Sequence, residues 1–170
     1  MIFTDFITLL EKTPAYKDWK CTHQKSYLCS FFKIFDEDKD TNIEDNWQVD
    51  LYDKNTDEIT SFVIAQCIAT KLEQSSKVFK EKHKIVEKLS LDKVSVNIID
   101  ALRIVEEARE KEYSDHHPTK KILILQQQAI PLWNISYITS SLQLLNFKIN
   151  ATTGEIISHG SQSVLSFRQK

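Results

Sequence analysis

Only two glycines occur in 170 residues, Gly154 and Gly160, and that scarcity narrows both fold and function. Glycine enters left-handed backbone without a steric penalty. A chain so short of it must build its tight turns largely from Asn and Asp, which tolerate that region best among the others. It also lacks the material for a phosphate-cradling loop or a dinucleotide-binding GxGxxG turn. The segment Asn150-Ala151-Thr152-Thr153-Gly154-Glu155-Ile156 follows an alternating run and reads as a hairpin. Its pattern, Asp/Asn-x-x-Thr-Asp/Gly-Glu-Ile, occurs earlier as Asp53-Lys54-Asn55-Thr56-Asp57-Glu58-Ile59, with Ser61 and Ser158 in the same register. In each copy the first side chain can accept a backbone N–H of the turn. The residue before Glu, Asp57 or Gly154, must then pass through positive φ. The alternation upstream is out of phase by one residue between copies, so one hairpin needs a bulge or a longer loop. Gly160 is expected to ease a bend or bulge in the last strand.

The remaining elements follow from periodicity. Residues 4–12 form an amphipathic helix carrying Phe6, Ile7 and Leu10, ended by Pro14. "SYLCSFFKIF" (26–35) reads as a buried strand; "NWQVDLYD" alternates, with Trp47, Val49 and Leu51 on one side; "EITSFVIAQ" pairs back on it. Residues 95–113 are the strongest helix, with Ser95 as its cap and Ile98, Ala101, Leu102, Val105 and Ala108 as its apolar stripe. Strands are predicted at about 120–127, 132–140, 142–150 and 155–166. A helix followed by strands, stated twice, indicates α+β with a helix packed on an antiparallel sheet. The expected organisation is a unit over 1–70, a connector over 71–93 and a second unit over 94–170.

The second half resembles a PepSY domain. The resemblance rests on "SVNIIDALRIVEEA" (95–108), "PLWNISYI" (131–138) and "LNFKINATTGEIIS" (145–158), so it is strongest over 95–160; the first half is similar only as a degenerate copy. It implies a helix cradled by a curved antiparallel sheet of cystatin-like architecture, in tandem. It further implies a non-enzymatic interaction or regulatory module with no catalytic residues and no cofactor, and a protein partner. The family's usual setting is secreted or membrane-anchored.

The residues themselves favour a cytoplasmic protein. The first residues read as a helix and not a signal peptide, no apolar run is long enough to span a membrane, and three irregularly spaced cysteines make no disulfide framework. A net charge of −2 gives no reason to expect nucleic acid as the main ligand, since such binding needs a basic face. The acidic run "DEDKDTNIEDNW" (36–47) alternates Asp36, Asp38, Asp40 and Asn42 like a calcium loop. It has Thr41 and Trp47 where that loop needs Gly and Glu, so a solvated acidic loop is the better reading and no metal ligand is assigned. Cys21, His23 and Cys29 lack zinc spacing, and Asp115, His116 and His117 read as a helix-terminating loop. Trp47 and Trp133 are core residues by their place in alternating strands. Trp19, in the polar stretch "YKDWKCTHQ", is the expected exposed tryptophan, and with Tyr52 it is the expected partner contact. Two alternatives remain open: a small-molecule pocket lined by Tyr137 and His159 beside the helix, and assembly through the sheet edge near 155–166.

Overall fold

A computed structural model describes residues 3–65, 68–71, 76–77 and 86–164. Among these residues three helices, α1 (Phe3–Lys12), α2 (Pro14–Thr22) and α3 (Ile98–Glu112), pack on one antiparallel sheet of nine strands. These are β1 (Tyr27–Asp36), β2 (Trp47–Asp53), β3 (Glu58–Ala65), β4 (Ile68–Lys71), β5 (Ser76–Lys77), β6 (Pro118–Gln127), β7 (Pro131–Thr139), β8 (Gln143–Asn150) and β9 (Ile156–Ser163). The order is β4-β3-β2-β1-β6-β7-β8-β9, with β5 also paired to β3. From the central β1–β6 pair each half lays its strands outward in chain order, after its own helix or helices. The α+β class and the antiparallel sheet are therefore as the sequence implies.

All three helices lie on the same face, and alternation decides which. Phe31, Val49, Phe62, Leu125, Trp133 and Ile149 share register positions across six strands and are almost fully buried. Phe3 of α1 joins the halves, its ring 4.6 Å from Phe31, 5.2 Å from Trp47 and 5.6 Å from Trp133. Trp47 and Trp133 are thus core residues, 6.2 Å apart. Ile98, Ala101 and Val105 press α3 onto the second half, as its stripe predicts.

The two turns behave as their residues require. Asp57 has φ 56° and Gly154 φ 81°. Asp53 Oδ1 accepts the Asn55 N–H, and Asn150 Oδ1 accepts those of Thr152 and Thr153. The phase slip is absorbed in the second copy, where Ile149 pairs Ile156 but Lys148 pairs Ser158, leaving Ile157 as the extra residue of a bulge. Counted from their helices the hairpins are not equivalent: the first joins β2 to β3, the second β8 to β9.

Several local expectations are corrected. Pro14 does not end the helical region; it opens α2 behind Thr13, whose hydroxyl accepts the Tyr16 N–H, because proline suits the first helical position. The cap of α3 is Asn97, which accepts the Asp100 N–H, and not Ser95. The Ser95 and Val96 N–H groups instead donate to Ala151 O at 3.0 and 2.9 Å, pinning the helix start to the Gly154 turn. Gly160 is regularly paired with Asn146, away from the bulge. Residues 71–93 are described only in part: Lys71 ends β4, β5 falls at 76–77, and Leu91–Lys93 form a 3-10 turn.

Candidate functional site

The expected contact residues are not on the surface. Trp19 lies on the inner face of α2, only 5% exposed, stacked 4.6 Å from the His23 ring and edge-on to Phe62 at 5.5 Å. Most of the polar stretch around it is α2, with Lys17, Asp18 and Thr22 facing water, and that is why it reads as a loop. Tyr52 is equally buried. Its ring meets Tyr27 at 5.6 Å and its hydroxyl donates to Asp57 Oδ1 at 2.5 Å, bracing the first hairpin.

The acidic loop is organised from within. Lys33, buried between Phe31 and Phe35 on β1, sends its ammonium to the carbonyls of Asn42 and Asp45. Burial lowers its pKa, with Asp40 and Asp45 opposing. Asp36 accepts the Asp38 N–H and pairs with Lys120 at 3.3 Å, while Asp40 Oδ2 accepts the Asp36 N–H. Carboxylates that would face a cation in a calcium loop are thus turned to the chain's own donors. No cluster of three or more His, Cys, Asp or Glu able to hold a metal occurs among the described residues.

The other candidates are scattered. Cys21 is exposed and Cys29 buried. Cys29 is the extra residue of the β1 bulge, its thiol donating to Asp50 O at 3.3 Å. Burial and the Asp50 charge push that thiol up to about 12, which keeps it a protonated, unreactive group. His116 meets Ser141 Oγ at 3.2 Å, and its carbonyl accepts from Arg109. Tyr137 is fully buried beside Glu106, its pKa raised by burial first and then by that carboxylate. His159 packs on Phe147 and lies 3.0 Å from the Tyr113 hydroxyl. Tyr137 and His159 line none of the three clefts described among these residues.

Two surfaces stand out instead. The first is the sheet face opposite the helices. At its centre Phe32 sits beside Ile124 and Ile34 beside Ile122, across the β1–β6 pair. Ile34 is 53% exposed and the other three are half-buried. On one flank the Asp50 carboxylate accepts from Ser30 (2.8 Å), Ser61 (2.6 Å) and Gln48 (2.8 Å). On the other, Asn146 donates to Asn134 (2.6 Å) and Ser136 (2.8 Å). The surface is therefore an apolar island between two self-satisfied polar networks. Its sequence signal is apolar residues at both parities of "SFFKIF" and "KILIL", where a half-exposed strand would alternate.

The second is a cleft of about 450 Å³ on the helix side, where α1 and α3 begin. Phe3, Leu91, Val94, Ile98 and Ile99 make its apolar walls, and Glu44 and Asp100 its acidic part. A volume of that size suits a small ligand or one inserted side chain.

No family model matches this chain, and no curated protein does. Among solved structures the chain is similar to a "putative lipoprotein" of Clostridium difficile 630. The two share 14% identity with a TM-score of 0.53, over 87% of this chain and 90% of that one. At that identity the likeness shows the fold alone. No helix among the described residues is long and apolar enough to cross a membrane.

Proposed function

We propose that this chain is a non-enzymatic interaction module of two PepSY-like units, and that it binds a protein partner through the sheet face opposite its helices. The carrying observation is the Phe32–Ile34–Ile122–Ile124 island, an apolar patch in water at the junction of the halves. Patches of this kind, rimmed by polar groups, mark interaction sites. The helix-then-meander order in each half supports the tandem reading. Exposed, unpaired Cys21 supports a reducing, cytoplasmic setting. The proposal includes no cofactor and no nucleic-acid or membrane partner.

The test is capture from native extract by tagged protein, in parallel with an Ile34→Lys/Ile122→Lys variant. Both side chains point away from the core, so the variant should keep the fold and lose the captured protein. Equal capture by both would remove the face from the account. Trp19→Ala is unsuitable as a control because it empties a core position.

The α1–α3 cleft favours a second reading, a small ligand with an aliphatic body. A rise in melting temperature with such compounds, abolished by Ile99→Lys, would support it; no shift across an aliphatic series would sink it.

A further inference from the structure

We infer that β9 is an assembly edge, pairing antiparallel with β9 of a second copy about a two-fold axis at Gly160. This goes beyond the partner-binding face and stands independently of it. Among the described residues the two edges of the sheet differ. One is made of β4 and β5, each carrying a lysine; charged edge strands resist further pairing. The other is β9, eight residues, "IISHGSQS", with no proline and no Asp, Glu, Lys or Arg.

The register says which groups point outward. β9 follows β8 as Gln143–Ser163, Leu144–Gln162 and Asn146–Gly160, and the next N–H along, that of Val164, donates to Leu142 O at 2.9 Å. Antiparallel ladders alternate, so Ser158, Gly160 and Gln162 bond to β8. His159 and Ser161 turn their N–H and C=O groups to the outer side, and unpaired backbone of this kind is a template for a strand.

A second copy fits that template better than an arbitrary strand. With the axis at Gly160, His159 faces the partner's Ser161 and Ser161 the partner's His159, giving four backbone hydrogen bonds. Gly160 then faces its own equivalent at a non-hydrogen-bonded position, where strands approach most closely, with α-carbons about 4.5 Å apart. A Cβ on Gly160 would meet nothing within 4 Å in the single chain, so its lack of a side chain is not demanded by the monomer. Between two strands it lets the two backbones approach most closely on the axis. Because β9 carries no Asp, Glu, Lys or Arg, self-pairing opposes none of those charges.

Analytical ultracentrifugation from micromolar to millimolar protein tests this. Wild type should approach twice the chain mass. Gly160→Lys sets two like charges against each other on the axis and should weaken association by at least about tenfold while leaving circular dichroism unchanged. Gly160→Glu should do the same, and a mixture of the two should regain the dimer. Ser161→Pro, which removes an outward N–H only, should also give monomer. A wild type that stays monomeric, or a Gly160→Lys protein that remains dimeric, overturns the inference.

Discussion

Replacing Gly154 with alanine measures how much the turn depends on left-handed backbone. At φ 81° a side chain brings its Cβ against the following carbonyl, which costs about 1–2 kcal/mol. The added Cβ would also stand 3.2 Å from Ile104 Cδ1 and 3.7 Å from Val96 Cγ2. Both are side-chain ends, and Ile104 can withdraw by a few tenths of an ångström. Gly160→Ala, compared at a concentration low enough to keep the chain monomeric, is the matched control, with open space and no positive φ. Both substitutions stiffen the unfolded chain equally, so that contribution cancels in their difference. Gly154→Ala should therefore be less stable than Gly160→Ala by about 1–2 kcal/mol, or roughly 2–8 °C in Tm for a domain of this size. Gly154→Asn should fall between them, because Asn tolerates the left-handed region. Urea unfolding at unchanged m-value is the assay. If the two alanine variants unfold within a few tenths of a kcal/mol of each other, the reading of this turn is wrong.

Other expectations follow from particular side chains. Trp19→Ala should destabilise by about 3–5 kcal/mol, as loss of a buried aromatic does; a near-neutral result by urea unfolding would put Trp19 back on the surface. In a Cys67→Ser background, a thiol reagent should label Cys21 at once and Cys29 only through unfolding. The Cys29 thiol has a folded pKa raised from 9.0 to about 12, so its contribution to stability is complete below pH 9 and is lost as pH climbs toward 12. Comparing unfolding of wild type and Cys29→Ala across that range reads the contribution directly, and parallel curves would contradict it. Lys33→Met should cost about 1–3 kcal/mol by leaving the Asn42 and Asp45 carbonyls without their donor, and should open loop 37–46 to proteases. An unchanged cleavage rate would mean that the loop holds itself.

The parts of this fold legible in the sequence are those set by local chemistry. The Asx turns, positive φ at Asp57 and Gly154, the α3 stripe and the burial of Trp47 and Trp133 all follow from neighbouring residues. So does the need for a bulge, although only the structure assigns it to Ile157. What was not legible depends on distant partners. Trp19 sits in a polar sequence, and its burial is decided by Phe62, 43 positions later and on a different strand. Pro14 can end one helix or begin the next, and Thr13 settles it by capping the second. The apolar island needs β1 and β6 side by side, a pairing over some ninety residues that no local pattern announces.

The central claim is that the sheet face opposite the helices binds the partner, and isoleucine methyl groups report on it separately from every competing surface. Ile34, Ile122 and Ile124 lie on that face, Ile98 and Ile99 line the α1–α3 cleft, and Ile156 and Ile157 belong to the β9 edge. Methyl NMR spectra should be followed while the captured partner is added. The account predicts shifts confined to Ile34, Ile122 and Ile124, with the other four in place. Shifts at Ile98 and Ile99 with the face unmoved would contradict it.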